Sequence, residues 1–430
     1  MNTLVHPAAH LGGVNLGADA FLERHERFRD RLPGDAAARD EAAEHFRRLG
    51  LPGVKVEAWR YTSLRPLAEV GFQEPLTAVS TGPDADPAPV GLDAPRLVFV
   101  DGRYQPGLST PPEGVDLSTF ADEPGFGRLP RPDREAMVAL NTMLAEDGAI
   151  LRVAEGVDAG TLVLLSEASD VHGRPIAFHP RHSIHLERGA KLTVVEVARG
   201  RGVYLHNPVT EVVVAEDAVL THVRLQDEAP EAFHIATLYA EIAERGTYDC
   251  FALNLGARLN RTEIHARLLG PNGAVHLNGA QLLGGQQHGD ITTVVAHDAP
   301  SCASRQTVKN VLTERARGVF QGRIEVARVA QKTDGYQMNQ ALLLSPEAEI
   351  DAKPQLEIYA DDVKCSHGAT VGELDPDQLF YLRSRGVPEA EARSILVRAF
   401  LAEAMDPIGH DGARAMLERA IENWWDKQAA

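Results

Sequence analysis

Apolar residues between 18 and 49 (Phe21, Leu22, Phe28, Leu32, Ala42 and Phe46) recur among many charges at helical spacing. This predicts helix, interrupted where Pro33-Gly34 breaks the pattern. Two proline-rich stretches follow, TGPDADPAPVGLDAP (81–95) and QPGLSTPPEGVDLSTFADEPGFGRLPRP (105–132). Proline fixes φ and removes a backbone donor, so both read as linker or surface coil. Between them RLVFV (96–100), ending at Asp101-Gly102, predicts a strand entering a turn, and 134–145 predicts a second helix with Met137, Leu140, Met143 and Leu144 on one face.

From 149 to 375 the period changes to short alternating or β-branched runs, such as KLTVVEVARG, TEVVVAED, VLTHVRL and ITTVVAHD, each closed by Gly, Asn or Asp. Small-residue corners open the next run at Gly189-Ala190, Asp217-Ala218, Gly256-Ala257, Gly273-Ala274 and Gly289-Asp290. Many short strands without intervening helices fit a sandwich, a barrel or a solenoid. A parallel β-helix suits small-residue corners best, with a jelly roll as the competing arrangement.

The C-terminal part returns to helical spacing. Asp375-Pro376 opens one helix that closes at Gly386, Pro388 starts a second that Asp406-Pro407 ends, and a third follows. In the third, Met416, Leu417, Ala420, Ile421, Trp424 and Trp425 share a face opposite Arg419, Glu422 and Asn423. Trp424 and Trp425 pack on the protein's own core or form part of a partner-docking surface. The expected organisation is mainly β: a helical region with proline-rich segments over 1–145, a parallel β-helix core over 146–375, and a C-terminal helical region over 376–430.

Charge and motifs narrow the function. Lys plus Arg number 43 against 61 Asp plus Glu, a net charge of −18, and no basic cluster offsets it, so nucleic acid and anionic membrane are not expected partners. No apolar run approaches the roughly 20 residues of a membrane span, and the opening MNTLVHPAAHLGGVNLG lacks the basic start and apolar stretch of a signal peptide. Three scattered cysteines, Cys250, Cys302 and Cys365, argue against a disulfide framework and for a reducing, cytoplasmic setting. The chain lacks G-x-x-x-x-G-K-[ST], G-x-G-x-x-G, G-x-S-x-G, H-E-x-x-H and C-x-x-C, which removes P-loop, dinucleotide, hydrolase and zinc signatures. His179, His182 and His185, three apart, read as ordinary strand and turn histidines, and Cys250 and Cys302 as structural thiols. Cys365 and His367 differ: two apart on an extended strand, they project from one face, and thiolate and imidazole are both iron or zinc ligands. Two ligands do not complete a metal site, so the remainder would come from elsewhere in the fold or from a second chain.

VKCSHGATVGELDPDQLFYLRSRG (363–386) resembles the C-terminal signature of SufD-type members of the SufB/SufD family, scaffold subunits of Suf iron–sulfur cluster assembly. WRYTSL (59–64) resembles a short aromatic motif near that family's N-terminus. The resemblance implies a right-handed parallel β-helix with helical flanks, pairing with a SufB-type paralogue through the β-helix, homodimers when alone, and one SufC-type ATPase bound through the C-terminal helices. It implies a non-catalytic chain that binds no nucleotide itself. A transient iron–sulfur cluster would assemble at the scaffold interface, with His367 as this chain's ligand, and Cys365 as a buried thiol or a transient sulfur or iron ligand. Gly368 stands where the SufB-type sister carries an acidic ligand. The family is also associated with reduced flavin in the complex, although no flavin motif is legible. A β-helix polysaccharide lyase or acyltransferase is the alternative class; the former is usually secreted and the latter needs hexapeptide repeats, which this sequence lacks.

Overall fold

The computed structural model describes residues 17–75, 91–170 and 173–429. The opening segment and residues 81–90 of the first proline-rich stretch lie outside them. Two parallel sheets face each other across an apolar interior. One holds strands Asp158–Ala168, Lys191–Gly200, Val219–Asp227, Thr247–Asn254, Ala274–Leu283, Ala303–Leu312, Asp334–Leu343 and Lys364–Gly372 side by side in chain order. The other holds Ala149–Val153, Arg181–Leu186, Val209–Val214, Phe233–Ile242, Leu259–Leu268, His288–His297, Arg317–Val326 and Glu349–Ile358. The chain alternates between the sheets, so each pair of strands is one turn of a solenoid. Lys191 lies opposite Val219 and Val219 opposite Thr247, a rung of 28 residues, and Asp334 lies opposite Lys364, a rung of 30. Successive rungs pair in parallel, which excludes a jelly roll, whose neighbours run antiparallel.

The corners show why this sequence coils. Gly156, Gly189, Asp217, Arg245, Asn272, Ser301 and Lys332 occupy equivalent positions on successive rungs, each with positive φ. Each donates its N–H to a carbonyl of the next rung, from Gly156 to Arg188 O through to Lys332 to Asp362 O. The left-handed residue points outward and tolerates Arg or Lys. The residue after it is the one that must be small or compact: Ala190, Ala218, Gly246, Gly273, Cys302 and Thr333 are all buried. The corner expected at Gly273-Ala274 is therefore displaced by one residue. Gly256-Ala257 lies at a different bend, where Ala257 has positive φ, and Gly289-Asp290 is no corner but part of strand His288–His297.

Seven helices flank the solenoid among the described residues: α1 (Ala18–Phe28), α2 (Ala36–Leu49), α3 (Arg65–Ala68), α4 (Ala136–Leu144), α5 (Pro376–Ser384), α6 (Glu389–Met405) and α7 (Asp411–Ala429). The chain breaks between α1 and α2 around Pro33-Gly34, and the Asp35 side chain caps α2 by accepting from Ala37 N–H. Phe21, Phe46, Met137 and Leu140 pack with Leu205, Phe233 and Ile235, so the N-terminal helices and α4 share a core with the second sheet. The buried Arg39 guanidinium donates to the carbonyls of Thr142, Met143 and Ala145, satisfying the C-terminal end of α4. On the other side Val397, Leu401, Leu417, Ile421 and Trp424 pack on Val163, Val195, Phe251 and Leu253 of the first sheet.

The second proline-rich stretch is not a free linker. Asp116–Thr119 forms a strand antiparallel to Ala149–Val153, Phe120 is fully buried, and Val115 and Leu117 pack on the interior. Proline density suggests coil, but the prolines flank this strand and leave its ladder donors free.

Candidate functional site

Cys365 and His367 lie on the last strand of the first sheet, Lys364–Gly372, which pairs on one side only, with Asp334–Leu343. Cys365 is in register with Gly335, and His367 with Gln337. Alternation along the preceding strand buries Gly335, Gln337, Asn339 and Ala341, so the register places Cys365 and His367 on the inward-facing row. Cys365 packs on Ile324, Val326 and Ala360, between the two sheets, and is half-buried. Gly335 leaves room beside it: a Cβ there would stand 3.3 Å from the sulfur, a tight contact. Burial pushes the Cys365 thiol above its ordinary range, partly offset by the Gly335 backbone N–H, so the sulfur is held as a thiol. His367 is exposed because no further rung covers it.

Behind His367 runs a row that the sequence reading missed. Gln306, Gln337 and His367 are register partners on three adjacent strands. Both amide atoms of Gln337 are buried without a hydrogen-bond partner, and its Nε2 fills the space beside Gly322. The amide reaches across the interior toward Gly322, so this buried polar group lies one strand in from His367. Only the strand register reveals it, since Gln306 and Gln337 look like any polar strand residues in the sequence.

The end of the solenoid around this strand is uncovered. Of the nine large apolar residues that are well exposed among the described residues, six gather here: Val329, Ile358, Tyr359, Val371, Phe380 and Tyr381. Tyr359 is 67% exposed and Phe380 74%. α5, which follows the strand directly, buries none of its residues, although Asp375 caps it by accepting from the N–H groups of Asp377 and Gln378. An apolar patch of this kind, bordered by two free strand edges, is the type of surface on which partners dock.

The remaining sequence candidates are placed elsewhere. Trp424 is 6% exposed and inserted between α6 and the first sheet, and Trp425 is partly buried beside it, with ring centroids 6.2 Å apart. Trp424 also lines a cleft with Leu255 and Gly256, next to a strand four steps from Lys364–Gly372, or about 19 Å at the usual strand spacing. The tryptophans and the Cys365/His367 pair are thus separate features, and Trp424 offers little surface to a partner. His182 is buried and accepts from Ala149 N–H, His179 packs edge-on to Phe21, and burial lowers both pKa values, that of His182 to about 4. Cys250 is buried with its thiol pushed up to about 11, and the Cys302 thiol donates to Gly270 O at a solenoid corner. WRYTSL docks the N-terminal region on the solenoid: the Trp59 ring lies 4.2 Å under the Arg261 guanidinium, and the Thr62 hydroxyl bonds Asp290 and meets His288.

By fold the chain is a helix-flanked β-solenoid with one open end that presents a thiol, an imidazole and apolar surface. Residues 167–400 match the family described as "SUF system FeS cluster assembly, SufBD core domain". The chain is 34% identical over 408 residues to the iron-sulfur cluster assembly protein SufD of Escherichia coli K12, covering 94% of this chain and 96% of that protein. It is 30% identical to the SufBD family protein slr0076 of Synechocystis, over 89% of each chain. It is also 30% identical to the Arabidopsis thaliana protein ABCI7, chloroplastic, over 86% of this chain and 81% of that one. The chain belongs to the SufB/SufD family of iron–sulfur cluster assembly proteins and is a SufD homologue. No helix of the described residues is long and apolar enough to cross a membrane.

Proposed function

We propose that this chain is a non-catalytic, cytoplasmic scaffold subunit that pairs through the open end of its solenoid with a SufB-type paralogue, or with a second copy when alone. In this reading His367 gives its imidazole to iron of a nascent cluster, and the other ligands come from the facing chain. The observation that carries it is the coincidence of His367 and Cys365 with the end of the solenoid where, among the described residues, strand edges and large apolar residues are left bare. A scaffold must release its cluster, and a site in which neither chain supplies four strong ligands holds it weakly enough. Cys365, half-buried and held as a thiol, would join only if the interface opens.

A SufC-type ATPase would dock on the C-terminal helices and supply nucleotide chemistry that this chain lacks. Its closure would strain the paired scaffolds and open the buried interface, a hinge-type switch. Within that region Phe380 and Tyr381 of α5 are better placed to meet a partner than Trp424, which is already packed. The test is anaerobic iron and sulfide content of the complex co-expressed with its sister scaffold and ATPase, comparing the native chain with His367→Ala. Loss of cluster from an assembled complex, judged by size-exclusion mass, is expected. Unchanged cluster content would remove His367 from the ligand set.

A further inference from the structure

A second cluster of metal-ligating groups lies far from the open end. His206 ends the short strand Tyr204–His206, and His234 lies near the start of strand Phe233–Ile242. These two strands pair in parallel with His234 in register with His206, which sets both imidazoles on the same face one strand spacing apart. Glu228 enters from the bend that follows strand Val219–Asp227 and reaches between them. His206 Nδ1 lies 3.0 Å from Glu228 Oε1, and His234 Nδ1 lies 2.6 Å from Glu228 Oε2. One ligand atom from each residue lies within 4.8 Å of the others, and all three side chains are 3% exposed or less.

We propose that His206, Glu228 and His234 form a binding site for one divalent first-row transition-metal ion. Two imidazoles and one carboxylate are a donor set that suits Fe2+ and Zn2+ and leaves coordination positions open. Ligand atoms each about 2.1 Å from a tetrahedral ion stand about 3.4 Å apart, so a pair up to 4.8 Å apart would close by about 1.4 Å and the 2.6 Å His234–Glu228 contact would open by about 0.8 Å. The supporting groups are in place. Ser166 Oγ stands 3.4 Å from His206 Nε2, fixing the ring so that Nδ1 faces inward, and the Gln226 amide donates to Glu228 Oε2.

One atom distinguishes this cluster from an ordinary buried ion pair. Despite its 2.6 Å approach to the carboxylate, His234 Nδ1 makes no hydrogen bond of acceptable geometry. A buried imidazole nitrogen aimed at a carboxylate without bonding it is the arrangement expected of ligands that converge on a shared cation. Glu228 also lines an open cleft of about 820 Å³, so the cluster lies just beneath that surface.

The test uses the purified full chain carrying Cys365→Ser and His367→Ala, so that metal held at the open end does not contribute. Anaerobic equilibrium dialysis against Fe2+, and separately against Zn2+, is expected to leave one ion per chain, and EDTA is expected to lower the unfolding temperature. Glu228→Gln and His234→Gln, added singly, should each weaken retention at least 100-fold. No retained ion, or retention unchanged in both variants, would overturn the site. If the variants fail to fold, Co2+ loading of the Cys365→Ser/His367→Ala chain still decides. Visible d–d bands without a thiolate charge-transfer band support it, and no visible band refutes it.

Discussion

The two ends of the solenoid are finished in different ways. At the first end the chain closes its own interior: Arg103–Tyr104 and Asp116–Thr119 pair antiparallel to the terminal strands, and Tyr104, Val115 and Leu117 pack over the apolar core. At the last end Glu349–Ile358 and Lys364–Gly372 are bare edges, and almost every position along them is partly or fully exposed. The interior changes too. Near the first end it is Leu, Val and Phe, whereas the rungs approaching the last end bury Gln281, Gln306, Asn310, Gln337 and Asn339, several with unpartnered amide atoms. A free edge is an aggregation hazard that proteins normally cover or charge. Leaving one bare, with apolar residues around it and a candidate ligand on it, fits the proposal that another chain covers this end. The first end is closed by the chain itself, and the last is left open.

The contrast predicts where mutations hurt. The largest effect is expected for Phe99→Ala at the closed end, whose buried ring packs on Tyr104 and His182. Emptying that space should lower stability by about 3–5 kcal/mol. Tyr359→Ala at the open end should shift it by less than about 0.5 kcal/mol. Urea midpoints of the two variants measure the difference directly, and equal losses would dissolve the distinction between the ends.

Acid should act at the closed end as well. His182 has a folded pKa of about 4, lowered by burial from an ordinary 6.5. Between those values the unfolded chain binds the proton and the folded chain does not, so stability falls as pH drops from 6.5 and levels off below 4. At 1.36 kcal/mol per pKa unit the contribution is about 3 kcal/mol. His182→Gln should remove that part of the slope when unfolding is followed from pH 7 to pH 4.

How much of this was legible in the sequence follows from how each feature is encoded. Alternation and corner residues reveal a parallel solenoid because every rung repeats the same local physics. Gly189-Ala190 and Asp217-Ala218 fall at true corners, whereas Gly273-Ala274 is one residue off and Gly289-Asp290 lies within a strand, because the constraint is split between an outward left-handed residue of any size and a small inward one. The cap formed by 116–120 was hidden by its prolines, since composition reports backbone donors lost and not the few that pair. Cys365 and His367 were legible because two residues on one strand share a face. Gln337 and the His206, Glu228 and His234 cluster were not, because each joins residues from different rungs, and only the register brings them together.

The open end is sharpened by charge. Val371→Glu and Ile358→Glu place carboxylates on the two bare edges, at residues that are 54% and 39% exposed. The isolated chain should keep its unfolding midpoint, whereas self-association or pairing with the sister scaffold should weaken at least 10-fold, or about 1.4 kcal/mol. Sedimentation velocity across a dilution series measures it. Unchanged association would move the interface away from this end.

The smallest effect concerns α5, the helix that leaves the open end with no buried side chain of its own. Within the chain it is held by the Asp375 cap and by contact with α6, including the Arg383–Glu389 ion pair. Removing the cap with Asp375→Ala should cost about 1 kcal/mol. Because α5 opens without the core, that loss should leave the global urea midpoint unmoved. It should appear instead as roughly fivefold faster amide exchange over residues 376–384 in the isolated chain. In the assembled complex the difference between native and variant should disappear, since packing then holds the helix more firmly than its cap does. Exchange that stays equally fast in the complex would mean that α5 remains uncovered there, and would take Phe380 and Tyr381 out of the partner surface.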